Sequence, residues 1–183
     1  MKLIFLGGGR FVKVDDCDFH WLSQTKWYYN KRGYAVGDIL GGRRGSGKIL
    51  MHRLILLAPN TATVDHKNHD TLDNRRRNLR LATRTQQNAN RARTHGASRY
   101  KGVHRRWDGL KWVAQIGNGD HRSTLGSFEA EEDAARCYNA VARHVFGEFA
   151  NYNKVTPKFP SKKDCSSFVS RWENGAKPRK ERL

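Results

Sequence analysis

The sequence predicts an α+β chain of two small units. The first is built of short strands and closes in a strand–turn–strand–helix segment; in the second a three-stranded antiparallel sheet packs on one helix. Three observations predict this. Short apolar runs alternate with glycine-rich, Asp-Gly and Asn-Gly turns, which is the pattern of hairpins. Residues 129–146 repeat their hydrophobes at helical spacing over several turns. Residues 94–98 carry turn formers and no large hydrophobe, so they mark a linker between units 1–93 and 99–153, ahead of a Lys-, Pro- and Ser-rich tail, 154–183, expected to be partly disordered.

In the first unit, strands are expected at 3–6 and 11–14 around Gly7-Gly8-Gly9, then at 27–29 and 34–36 around a Lys-Arg-Gly turn. Asp18 is a candidate cap for a short helix reaching residue 24, and a second short helix, 51–57, ends before Pro59. Five glycines between Gly37 and Gly47 make a mobile basic loop. That loop holds GRRGSGK, residues 42–48, but Ile49 stands where a phosphate-binding loop needs Ser or Thr for magnesium, and no long helix follows, so a basic hairpin is the better reading. Residues 64–66 and 78–81 form two strands joined by a polar turn, and Thr83 with Gln86 makes a capping box that starts a helix through Arg91.

In the second unit, strands are expected at 100–103, 112–116 and 124–128. The helix 129–146 places Ala134, Ala135, Tyr138, Val141, Ala142 and Val145 on one face, with Glu131, Glu132 and Asp133 in its first turn, where the helix dipole favours anions. The sheet carries the bases and the helix most of the acids, so a polyanion is expected on the sheet.

A net charge of +18 on 183 residues points to a nucleic-acid partner. From Asn74 to Trp107 there is no Asp or Glu at all, which reads as a phosphate-facing track. No segment is apolar enough to span a bilayer, and the apolar stretch in MKLIFLGGGR reads as too short for a signal peptide, so none is expected. Cys17, Cys137 and Cys165 form no C-x-x-C pair, which argues against a zinc ribbon and a disulfide framework and for a cytoplasmic protein with reduced thiols. No protein partner is implied.

Residues 64–80, VDHKNHDTLDNRRRNLR, set carboxylates among arginines. A polar turn without metal is one reading, since Asp and Asn tolerate turn geometry. The other is a site in which Asp65, at the end of the first strand, and Asn88, on the helix, give oxygen ligands to a hard divalent ion. His52 and His69 read as satisfied structural histidines.

The residues Asp65-His66, Asn78-Leu79 and Asn88, flanked by Met51-His52-Arg53-Leu54, Leu72-Asp73-Asn74-Arg75 and Asn88-Ala89-Asn90, resemble the HNH homing endonucleases of the ββα-metal fold. Asn replaces His in the third position, as in phage- and intron-encoded members. The resemblance covers residues 1–93 and implies His66 as general base, Asp65 and Asn88 as ligands of Mg2+ (Mn2+ as the alternative), and Asn78 as the residue that bonds across the loop to hold His66. It also implies double-stranded DNA as substrate and a phage-infected cell as the setting. Residues 99–153 resemble the Apetala/ethylene-response-factor DNA-binding domain through Tyr100-Lys101-Gly102-Val103, Lys111-Trp112-Val113-Ala114, Leu125-Gly126-Ser127-Phe128 and Glu132-Asp133-Ala134-Ala135-Arg136. That family reads the major groove from a three-stranded sheet. His104 stands where it usually has Arg, and Thr124 where it usually has Trp. The DNA-binding candidates are Arg75, Arg77, Arg80, Arg84 and Arg91 in the first unit, and Arg105, Arg106, Trp107, Lys111, Trp112 and Arg122 in the second. A DNA-binding regulator that does not cleave, and an RNA-binding basic protein, stay open as alternatives.

Overall fold

Antiparallel hairpins account for every sheet in a computed structural model of the chain, which describes residues 1–38, 47–92, 96–118 and 121–156. Most of the glycine-rich basic loop, residues 94 and 95 of the linker, and nearly all of the tail lie outside the described residues. The chain divides into two units, one ending at Asn88 and the other starting at Ala89. Among the described residues no helix is long and apolar enough to cross a membrane.

The first unit opens with β1 (Lys2–Gly7) and β2 (Arg10–Val14), paired around the three glycines, all at positive φ. Helix α1 (Asp16–Leu22) follows. Asp18 does not cap it. The N-cap is Asp15, and Asp18 lies inside the helix, 1% exposed. Strands β3 (Trp27–Tyr29), β4 (Ala35–Asp38) and β5 (Lys48–Leu50) form a sheet in that order. The last strand, three residues behind a glycine-rich loop, gave no alternating pattern to read. Helix α2 (Met51–Ile55) leads to β6 (Thr63–His66), which pairs with β7 (Leu79–Ala82) before α3 (Arg84–Asn90). The capping box starts α3: Thr83 N donates to Gln86 Oε1 at 2.8 Å, and Gln86 N to Thr83 Oγ1 at 3.2 Å. Val12, Val14, Leu22, Trp27, Met51, Ile55, Val64 and Leu79 form the core.

In the second unit β8 (Val103–Arg105), β9 (Trp112–Asn118) and β10 (His121–Phe128) make a meander packed on α4 (Glu131–Phe146). Residues 100–102, expected in the first strand, turn instead. Gly102 has φ +71°, and a Cβ there would lie 2.1 Å from Tyr138 Cδ2, so the chain comes too close to α4 for any other residue. Val103, Ala114, Ile116 and Leu125 meet Ala134, Ala135, Tyr138, Val141 and Ala142 in the core. Cys137 is buried there, and Cys17 is exposed.

Candidate active site

Asp65 and His66 end β6, where the register sets them opposite Arg80 and Leu79. Both are buried, each 6% exposed. The 67–78 loop that follows is tied at several levels. Lys67 N donates to Asn78 O at 2.9 Å. The Asn78 side chain spans the loop, its Oδ1 accepting from Asn68 N at 3.1 Å and its Nδ2 donating to Asp73 O at 2.8 Å. Strand β2 grips the same loop through Lys13 N to Leu72 O and Asn74 N to Lys13 O, both 2.8 Å.

These ties deliver Asn74, which has no exposure, to His66: Asn74 Oδ1 lies 2.8 Å from His66 Nε2. With Nε2–H donating to that oxygen, the imidazole lone pair sits on Nδ1, the nitrogen suited to take a proton. Burial pushes the His66 pKa below the ordinary histidine value, with the Asn74 hydrogen bond opposing the shift. Asn74 is itself anchored through its backbone to Lys13, and Asp65, beside His66 in β6, is held by Arg80, so the groups flanking the imidazole have fixed positions.

The carboxylates among the arginines have internal partners. Arg75 Nε and Nη2 bind Asp73 at 2.6 and 2.5 Å. Arg76 binds Asp18 at 2.8 and 2.7 Å and donates its backbone N–H to Asp15. Arg80 Nε and Nη2 both reach Asp65 Oδ2, at 2.9 and 2.8 Å. Buried carboxylates need such partners, because an unpaired charge out of water is costly. Arg75 and Arg80, read from the sequence as phosphate-facing, therefore point at Asp73 and Asp65, whereas Arg77, Arg84 and Arg91 are exposed.

Asn88 is exposed on α3. Asp65 and Asn88 each carry a hard oxygen donor of the kind Mg2+ or Mn2+ takes, and among the described residues no group of three or more His, Cys, Asp or Glu is placed to hold a metal ion.

Two residues of this neighbourhood escaped the sequence reading. Asn74 counted only as a flanking residue of the motif. His52 is not a satisfied histidine: it is 4% exposed, its Nδ1 has no hydrogen-bond partner among the described residues, and its ring packs edge-on against His66, centroids 5.1 Å apart. The one signal for it was its place in Met51-His52-Arg53-Leu54.

Residues 51–89, which hold His52, Asp65, His66, Asn74, Asn78 and Asn88, match the family model of the HNH endonucleases. The chain is also 34% identical over 159 residues, 84% of its own length and 80% of the relative's, to an uncharacterised HNH endonuclease, L560, of Acanthamoeba polyphaga mimivirus. The chain belongs to the HNH endonuclease family. It is a DNA endonuclease, and a divalent metal ion is the usual cofactor of such enzymes.

The second unit of this HNH endonuclease places its candidates on different faces. Trp112 and Arg105 are opposite each other in the register and share the helix side of the sheet, where Arg105 stacks over the Trp112 ring at 4.6 Å. Arg106 pairs with Asp108 at 3.0 Å, and Lys111 with Glu129 at 3.0 Å. These are partly exposed pairs of the kind that contribute little and exchange readily for phosphate. Trp107, at the tip of the β8–β9 hairpin, is 90% exposed. The outer face carries His104, Gln115, Arg122, Thr124 and Ser127, as the pairings His104 with Val113, Arg122 with Gly117, and Thr124 with Gln115 require.

Proposed function

We propose that the protein is a homing-type endonuclease that hydrolyses phosphodiester bonds in double-stranded DNA, with residues 1–93 as its catalytic domain and 99–153 as its recognition domain. The observation that carries the catalytic part is the His66–Asn74 pair: a buried imidazole whose Nε2 is committed to an amide oxygen presents Nδ1 as a base. In this reading His66 Nδ1 takes a proton from the attacking water, the water oxygen bonds to phosphorus, and the bond to the 3′ oxygen breaks. Asp65 and Asn88 would hold a divalent ion, most simply Mg2+, which would supply charge stabilisation to the phosphate and the departing oxygen. Asn78 keeps the loop that carries Asn74 in shape. Arg77, Arg84 and Arg91 grip the backbone, which positions DNA without reading it.

Recognition by the second unit is supported by its three-stranded sheet on a helix, the likeness of residues 99–153 to the Apetala/ethylene-response-factor domain, and the outward placement of Trp107 and Arg122. The test of the reading is His66→Ala assayed on long duplex DNA with magnesium. Cleavage is expected to fall by about 10²–10⁴ with DNA affinity nearly unchanged. Cutting at more than half the parent rate would remove His66 from the base role.

A further inference from the structure

His52 is the buried titratable group that this mechanism leaves without a task. It sits on α2 and packs on two rings: Tyr34, centroids 5.1 Å apart and planes at 59°, and His66, 5.1 Å and 81°. Tyr34 also reaches His66 at 6.1 Å, so the three rings pack on one another. Packing alone does not call for histidine here. A leucine would fill the space without burying a nitrogen that has no hydrogen-bond partner among the described residues, and burying such an atom opposes folding.

The Asn74 hydrogen bond fixes one atom of the His66 ring, Nε2. The terminal torsion of a histidine has broad, two-fold preferences, so packing as well as hydrogen bonding sets the plane of the ring. An edge-to-face neighbour removes that freedom, since swinging the His66 plane would drive it into the ring beside it. Burial holds the His52 imidazole far below the usual histidine range, at about 3, so it stays an uncharged ring through the neutral range.

We propose that His52 is a positioning residue of the HNH endonuclease: its ring, packed edge-on against His66 and backed by Tyr34, sets the plane of the His66 imidazole and so aims Nδ1 at the attacking water. The proposal rests on the reading of His66 as the base. His52, 4% exposed, acts in this reading through the His66 ring. Its effect falls on the rate of the chemical step and not on the grip on DNA, because near-attack alignment sets the rate while backbone contacts set affinity.

The experiment compares the full-length parent with His52→Leu, His52→Phe and His66→Ala, measuring kcat and KM on duplex DNA with magnesium, together with the melting temperature. His52→Leu keeps the space filled and removes the unpaired nitrogen, so the fold should be no less stable, yet kcat should fall by about tenfold or more with KM unchanged. His52→Phe restores an aromatic edge and should keep kcat within about threefold of the parent. A purely structural His52 would show the opposite pattern, with Leu as active as the parent, and that result overturns the proposal. So does a Phe variant as slow as the Leu variant, which would make the nitrogen and not the ring the working part. If His52→Leu does not fold, Tyr34→Leu takes away the ring that backs both His52 and His66 and should lower kcat in the same way; parental kcat there overturns the proposal. His66→Ala separates the two claims, because a cleaving alanine variant refutes the base, whereas an inactive one beside a fully active His52→Leu refutes only the positioning role.

Discussion

Acidification should destabilise the first unit through His52 by an amount that the structure sets. In the unfolded chain this histidine titrates at the ordinary 6.5, and in the folded protein burial, then the charges of His66 and Arg53, hold it at about 3. Below pH 6.5 the unfolded state therefore binds a proton that the folded state refuses. Stability is complete above the unfolded value and is lost as pH falls toward the folded one, at about 1.4 kcal/mol per pH unit. At pH 4.5, two units below the unfolded value, the loss from His52 alone is about 2–3 kcal/mol, a large part of the roughly 5–15 kcal/mol that holds a domain together. His66 is shifted in the same direction, chiefly by burial, and adds to the effect. Carboxylates such as Asp73, held low by the Arg75 hydrogen bonds, also lose their contribution in acid. Comparison with His52→Leu cancels what the two proteins share. The assay is urea unfolding at pH 7.5, 6.0 and 4.5, read from the amide signals of Val64 and Leu79, whose side chains lie in the first core. The leucine variant should lose about 2–3 kcal/mol less than the parent over that interval. Parallel curves would show that residue 52 is not a buried neutral imidazole, and the reasoning would fail.

Asn74→Ala should lower cleavage about tenfold or more while leaving DNA affinity in place, because the base loses the acceptor that fixes its tautomer; cleavage kinetics beside a binding titration check it, and unchanged kcat would refute it. Asp65→Asn and Asn88→Ala should each raise the magnesium needed for half-maximal cleavage, and their double variant should depart from additivity, since both act through one ion; calorimetric titration with Mn2+ gives an independent reading, and strictly additive effects would count against a shared site. Gly102→Ala should cost the second unit about 2–5 kcal/mol, because the new methyl meets the Tyr138 ring and Gln115 O and the backbone is at positive φ. Amide signals of Ile116 and Val141 should report that loss while those of Val64 hold, and a second unit of parental stability would show that the chain can move away from α4.

Features that depend on neighbours in the chain were legible in the amino-acid sequence. The Thr83–Gln86 capping box, the apolar face of α4, the glycine turn between β1 and β2, and the α+β class itself all follow from local spacing, because each is formed by residues within a turn or two of one another. The order Asp65-His66, Asn78, Asn88 was equally visible, and it led to the right family. What the sequence left open was which charges and rings meet. Arg76 and Asp18 are 58 positions apart, and Lys13 and Asp70 are 57 apart. An uninterrupted run of bases looks like a track for phosphate when the acids that neutralise part of it lie elsewhere in the chain. Only packing brought Asp18 to Arg76 and turned Arg80 onto Asp65, and only packing set His52 against His66. The physical reason is that burial makes the choice: once water is excluded a carboxylate must find a cation, and which cation is near depends on how β2, α1 and the 67–78 loop come together, not on spacing along the chain.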